Sequence, residues 1–206
     1  MYNILILGGG RVGSAIAYDL SKEYQVTVAD IDIDTLIFLE KEYAVKTINQ
    51  DVSNLSQLKS LVIEYDLIIS AVPGFMGFET LKTIIENKKP VVDISFFPEN
   101  ALELDKLAKK HNVTALVDFG VAPGLGNILF GYYDNLMDIQ SYECYVGGLP
   151  KEKKQPFEYK APFSPIDVIE EYTRPARLFE NSKIITKHPL TDIEILHFET
   201  NENLEA

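Results

Sequence analysis

One short stretch near the amino end, Gly8-Gly9-Gly10-Arg11-Val12-Gly13, constrains this chain more than any other. It follows an apolar run, Asn3-Ile4-Leu5-Ile6-Leu7, and opens a segment over 11–23 with Val12, Ile16 and Leu20 on one helical face. A lone G-x-G-x-x-G is a weak signal. Here it sits between a strand and a helix, and an acid, Asp30, closes the next strand at about the 20-residue offset of a dinucleotide fingerprint. Each glycine has a physical task in that reading. Gly8 permits the tight turn, Gly10 lets backbone approach a pyrophosphate, and Gly13, helped by Ala17, lets helix and strand pack closely. The helix N-terminus then offers N–H groups and a positive dipole end to phosphate.

The rest of the first half repeats this alternation. Strand-like runs at 25–30, 45–49, 67–72, 90–94 and 113–117 are separated by amphipathic segments, such as 32–42 with Leu36 and Leu39. Continuous apolar strands between helices mean a parallel sheet covered on both faces. Six strands predict an α/β doubly wound, Rossmann-type domain over 1–122 with strand order 3-2-1-4-5-6. After about residue 120 the pattern changes. A helix is expected over 123–136, a strand over 141–147, a loop over 151–160, a helix opened by Ser164-Pro165, and strands at 183–186 and 193–198. Residues 123–206 read as part of a second, α+β substrate or dimerisation domain.

Composition narrows the partners. The formal net charge of −12 argues against nucleic acid, whose phosphates need a basic footprint, and against an anionic membrane surface. No apolar run is long enough to span a bilayer. Cys144, the one cysteine, allows no internal disulfide or cysteine-rich zinc site, and a reducing cytoplasm is the expected location. His111, His188 and His197 are scattered without metal-ligand spacing, so no metal is expected.

The cofactor expectation is NAD. Asp30 is placed to accept hydrogen bonds from both adenosine-ribose hydroxyls, and Ile31-Asp32-Ile33-Asp34 offers no arginine for a 2′-phosphate. The expected contacts are Gly8, Gly9, Gly10, Arg11, Val12, Gly13, Asp30 and Ile31. Asp51 and Val52 would flank the adenine, Ala71, Val72 and Pro73 the nicotinamide ribose, and Ser95 would follow the fifth strand. Val72 and Pro73 read equally as packing and turn residues.

Later segments carry a resemblance. Residues 117–129, Val-Asp-Phe-Gly-Val-Ala-Pro-Gly-Leu-Gly-Asn-Ile-Leu, followed by Gly147-Gly148-Leu149-Pro150, resemble the D-x-G-x-x-P-G-x-x-N region of saccharopine dehydrogenase-like enzymes. Glu170-Glu171-Tyr172-Thr173-Arg174-Pro175-Ala176-Arg177, with Tyr159-Lys160 and Ser164-Pro165, resembles the lysine 6-dehydrogenase branch. The resemblance covers essentially the whole chain. It implies oxidation of a C–N bond of lysine or a lysine-derived amine, with a nicotinamide cofactor as acceptor and an imine as product. It also implies a homodimer through the second domain. Family members run longer, so the chain reads as an amino-terminal portion. A non-catalytic NAD-binding module is the competing expectation. A nucleotide-sensing or potassium-gating domain fits less well, because such domains end near the sixth strand.

Hydride transfer needs a held substrate and a route for the amine proton. Asp118 is a candidate ammonium anchor or base, and equally a turn cap ahead of Pro123. Asp93 reads as a cap and Asn127 as a turn brace. Arg174 offers a fork for a substrate carboxylate, or an ion pair with Glu170 or Glu171. Tyr145 is a further second-domain candidate, and Lys160 would be a base if desolvated.

Overall fold

The computed structural model describes residues 2–156, 158–161, 163–198 and 201–205. The chain divides into two compact units between Tyr142 and Glu143.

The first unit is built on a six-stranded sheet. Its strands are β1 (Asn3–Leu7), β2 (Gln25–Asp30), β3 (Lys46–Asn49), β4 (Leu67–Ser70), β5 (Val91–Asp93) and β6 (Ala115–Leu116). Their order is β3-β2-β1-β4-β5-β6, with every pair parallel, as the alternation predicts. Because side chains alternate along a strand, the sheet feeds two cores. Leu5, Leu7, Ile68 and Val91 pack with Leu58 and Val62 of α3 (Leu55–Val62) and with Leu81, Ile84 and Ile85 of α4 (Gly74–Glu86). Ile4, Ile6, Val26, Val28 and Ile69 pack with Ala17 of α1 (Arg11–Leu20) and with Leu36 and Leu39 of α2 (Ile33–Tyr43). Both faces are covered, so the central strands are apolar without interruption. Asp32 and Asn54 cap α2 and α3, accepting N–H bonds from Asp34 at 3.0 Å and Gln57 at 3.3 Å.

The edges depart from expectation. Strand β6 keeps only two residues, at the edge of the sheet, where it pairs with β5. It follows α5 (Asp105–His111), which a 3-10 turn over Ala101–Leu104 leads into. Helix α6 (Leu125–Asp134) begins two residues later than expected. Gly124, at φ 147°, turns the chain where a Cβ would sit 2.0 Å from the Gly120 carbonyl oxygen. The strand expected over 141–147 does not form. Tyr142, Tyr145 and Val146 are exposed, so the alternation has no face to bury, and Tyr142 stacks beside Phe130 of α6 instead.

In the second unit α7 spans Pro165–Thr173, with Ser164 at the N-cap position and Pro165 in the first turn. Two antiparallel hairpins follow: β7 (Ala176–Glu180) with β8 (Lys183–Lys187), and β9 (Ile195–Phe198) with β10 (Asn201–Glu205). Strand β10 has one apolar residue, Leu204, and β7, with Ala176, Leu178 and Phe179, keeps no strict alternation, so both escape a sequence reading. The β7–β8 link is Asn181-Ser182 at φ 49° and 61°, the left-handed pair that matches the twist of a two-residue hairpin. The expected loop over 151–160 forms neither helix nor strand, apart from Phe157, which lies outside the described residues. Among the described residues no helix is long and apolar enough to cross a membrane.

Ile84 is fully buried between α4 and the sheet. Truncation to alanine in so tight a site costs about 2–5 kcal/mol. The Ile84→Ala chain should therefore lose that much in urea unfolding of the first unit, and an unchanged midpoint would contradict the two-core assignment.

Candidate functional site

The fingerprint glycines sit where β1 turns into α1. Gly8 has φ 96°, a left-handed conformation that disfavours any side chain, and a Cβ there would lie 2.5 Å from the Ala71 carbonyl oxygen. A Cβ on Gly13 would lie 1.9 Å from the Gly8 carbonyl oxygen. These two glycines are therefore required by the protein's own packing, and they bring β1, α1 and the end of β4 into backbone contact. Gly10 is different. A Cβ there would meet nothing within 4 Å, and its φ of −61° suits any residue. The bare backbone at Gly10 is a cradle with room in front of it. Helix α1 starts beside it with no acid in the first turn and no side-chain cap, so the end facing Gly10 keeps its positive dipole. A pyrophosphate fits that space and that charge.

Asp30 closes the turn from the β2 side. Its carboxylate accepts the Gly9 N–H at 2.5 Å and the Asp32 N–H at 2.8 Å, one on each oxygen. Asn49 braces the same segment from β3, donating to the Ile31 carbonyl at 3.0 Å. The acid is thus a brace of the glycine turn, and Ile31 beside it is exposed. Arg11 and Val12 are exposed in the first turn of α1.

The loops after β3 and β5 share one construction. Asp51 accepts the Ser53 N–H at 2.9 Å and its hydroxyl at 2.6 Å, which holds the Asp51 carboxyl below the usual range. Asp93 accepts the Ser95 N–H at 2.9 Å and its hydroxyl at 2.7 Å. Both are Asp-x-Ser turns, legible in the sequence as an acid two residues before a serine. Ser95 is consequently buried with its hydroxyl engaged, against Gly77 of α4, where a Cβ would come within 2.8 Å of it. Gly77 is the site-adjacent glycine that sequence reasoning missed. Val52 and Val72 are core residues, and Pro73 is the N-cap of α4. Ala71, between them, carries the carbonyl that abuts Gly8.

Asp118 follows β6 in a left-handed conformation, φ 52°, and is exposed. With Phe119, Asn127 and Ile128 it lines a hollow of about 320 Å³. The Phe119 N–H bonds to the Asp93 carbonyl at 3.1 Å, so this loop continues the β5 end.

The remaining candidates belong to the second unit. Arg174 donates through Nε to Glu170 Oε2 at 2.8 Å and through a second guanidinium nitrogen to the same oxygen, the ion-pair alternative. The Tyr145 hydroxyl donates to Glu194 at 2.8 Å. That bond, aided by partial burial and the Glu143 charge, pushes the phenol up to about 12, so it remains a donor. Lys160 is exposed, without the desolvation a lysine base requires. Among the described residues no group of three His, Cys, Asp or Glu side chains is arranged to hold a metal.

Comparison with known proteins places these features. Residues 4–116 match the family model of the saccharopine dehydrogenase NADP binding domain, and residues 120–205 match the saccharopine dehydrogenase C-terminal domain. The chain is 30% identical over 192 residues to alpha-aminoadipic semialdehyde synthase, mitochondrial, of Rattus norvegicus, covering 88% of this chain and 21% of that protein. It is 27% identical over 196 residues to saccharopine dehydrogenase [NADP(+), L-glutamate-forming] of Saccharomyces cerevisiae, covering 89% of this chain and 43% of that protein. The chain thus spans less than half of the curated relatives it matches. The fold is similar to the solved apo saccharopine dehydrogenase (L-Glu forming) from Saccharomyces cerevisiae, with a TM-score of 0.72 and 21% identity, covering all of this chain and 49% of that one.

These findings correct the cofactor expectation. The matching domain is described as NADP binding, and the yeast relative and that of Pyricularia oryzae carry NADP(+) in their names, against a preference for NAD. The structure supplies the reason the argument from Asp30 fails. Both carboxylate oxygens are used on backbone N–H groups of the turn. The acid is accounted for by the protein's own turn, so its presence alone does not select NAD over NADP.

The two glycines separate on substitution. Gly13→Ala forces a methyl into the Gly8 carbonyl and should cost about 1–3 kcal/mol of stability. Gly10→Ala should leave the urea midpoint within about 0.5 kcal/mol of wild type while weakening dinucleotide binding in calorimetry. Loss of stability without loss of binding at Gly10 would remove it from the phosphate cradle.

Proposed function

The chain belongs to the saccharopine dehydrogenase family, and from that premise we propose that its first unit binds NADP(H) and serves an oxidoreductase acting on a C–N bond of a lysine-derived amine. The observation that carries this reading is the open cradle at Gly10, beside two glycines the protein needs for itself.

The cofactor, when bound, supplies the hydride acceptor or donor. The protein's part is to bind, orient and handle one proton. Gly8, Gly10 and Gly13 with the start of α1 would receive the pyrophosphate. Arg11, exposed in that first turn, is the nearest cation in the sequence to the turn and our candidate for the 2′-phosphate. Ile31 offers an exposed apolar surface for the adenine. Residues 71–73, at the end of β4, would carry the reactive end of the cofactor, with Ser95 beneath it.

In the oxidative direction the amine nitrogen must be neutral before its carbon gives up hydride, and the resulting imine takes up water. We assign Asp118 to the ammonium, as anchor and as first proton acceptor, because it lines the hollow at the carboxyl end of β6. Saccharopine, with L-glutamate formed, as in the yeast relative's name, and free lysine, as in the lysine 6-dehydrogenase resemblance, are both within this class. The competing reading is a non-catalytic nucleotide-binding module. Association of two copies through the second unit is part of the proposal, checked by native mass.

The decisive assay pairs binding with turnover. NADPH should quench and bind with a lower dissociation constant than NADH, and Arg11→Ala should narrow that gap by about tenfold, the weight of one strong charge-assisted contact. Equal affinities for the two dinucleotides would remove the 2′-phosphate assignment. Nicotinamide reduction with saccharopine, lysine or neither then separates the two enzyme substrates from the non-catalytic reading. In an active chain Asp118→Asn should lower kcat/KM by about 10²-fold or more.

A further inference from the structure

Beneath α4, at the carboxyl ends of β4 and β5, three polar side chains are completely buried. Ser70 and Asp93 are direct cross-strand partners in the β4–β5 ladder. They lie two residues beyond Ile68 and Val91, which face the α4 core, so both point to that same side. Thr80 is buried on α4, one turn beyond Gly77, whose Cα presses on Ser95. The Ser70 and Thr80 hydroxyls and the second carboxyl oxygen of Asp93, Oδ2, make no well-formed hydrogen bond within the protein. Buried polar atoms without partners are costly, and three on one face mark a place where the fold does something other than pack.

We propose that Asp93 is a positioning residue whose neutral carboxyl pins the ends of β4 and β5 beneath α4 and thereby fixes the two loops, 71–73 and 95–97, at the reactive end of the crevice. The neutral acid has an O–H that can donate to a serine or threonine hydroxyl, while its other oxygen keeps both bonds from Ser95. The carboxylate could only accept from those hydroxyls, and its buried charge carries a desolvation cost that the neutral acid avoids. The pin itself needs no ligand. Only the consequence for the loops rests on the dinucleotide reading given above.

The electrostatics agree. Burial pushes the Asp93 carboxyl up from 3.8 to about 6, the bonds from Ser95 and the nearby Ser70 hydroxyl oppose that shift, and the Asp118 charge adds to it. Asp118, from the loop after β6, is the titratable group acting on it. From β4 and α4 the buried polar groups on this side are Ser70 and Thr80, while Glu79 and Lys82 of α4 pair with each other at the surface. The sign follows. The folded chain holds a proton that the unfolded chain has released, so stabilisation by the pin is complete below the ordinary value of 3.8. It is lost as pH rises through about 6.

The test compares the full chain with Asp93→Asn, an isostere that donates and accepts but cannot ionise. Amide hydrogen exchange over 94–98, corrected for intrinsic rates, should rise on the order of tenfold in wild type between about pH 5 and about pH 7, and stay flat in D93N. The NADPH dissociation constant should diverge between the two chains over the same interval. Parallel profiles in both chains overturn the proposal. If D93N does not fold, infrared titration of the wild-type buried carboxyl decides: a midpoint in the ordinary carboxylate range overturns it, one near 6 supports it. Exchange that tracks Asp93 in a chain that binds no NADPH supports the pin and overturns the cofactor reading instead.

Discussion

The first unit depends on one close approach, that of the start of α1 to the end of β1. A single methyl at Gly13 would stand 1.9 Å from the Gly8 carbonyl oxygen, and one at Gly8 would stand 2.5 Å from that of Ala71. Three backbone segments therefore meet without side chains between them. The helix end is set directly over the sheet's central pair, β1 and β4, and Asp30 ties the loop to the neighbouring strand through the Gly9 and Asp32 amides. What remains exposed is Gly10 and the positive end of a helix. The site is less a pocket than the gap left by a backbone contact, which is why it is open on the outside and rigid behind.

The parts of this fold legible in the sequence are those buried on two sides. Strands β1 and β4 are written mostly in Ile and Leu because α1 and α2 cover one face and α3 and α4 the other. Burial supplies the signal, and where burial stops the signal does too. Strand β6 shrinks to two residues at the sheet's edge, and β7 and β10 form in sequence without a regular alternation of apolar residues. The alternation at 141–147 misled for the converse reason. It has the period of a strand and no partner surface, so its tyrosines stay in solvent.

The same distinction runs through the site. Gly8 and Gly13 were readable because their need is steric and local. Asp30 was readable as a residue of the site but not as evidence for NAD, since an acid at a strand end also serves its own main chain, as it does here for the Gly9 and Asp32 amides. Arg174 raised a like ambiguity, and its position on α7 put Glu170 within reach of its fork. Asp51 and Asp93 look alike as Asp-x-Ser turns, yet one lies at the surface with a lowered carboxyl and the other lies inside with a raised one. Identical spacing gave opposite electrostatics because the strands carrying them sit at different depths in the sheet.

The order of the strands also bears on how the chain assembles. β1 is made first and ends in the middle of the sheet, between β2 and β4. Its N-terminal residue bonds to Asp66, 63 positions later, just ahead of β4. On a ribosome the leading strand can dock on β2 early, but one of its edges stays bare until the fourth strand emerges. Contacts of such long sequence separation slow folding, and an unpaired apolar edge invites other chains meanwhile. The arrangement that sets α1 against the central strands thus makes the middle of the sheet wait on its fourth strand.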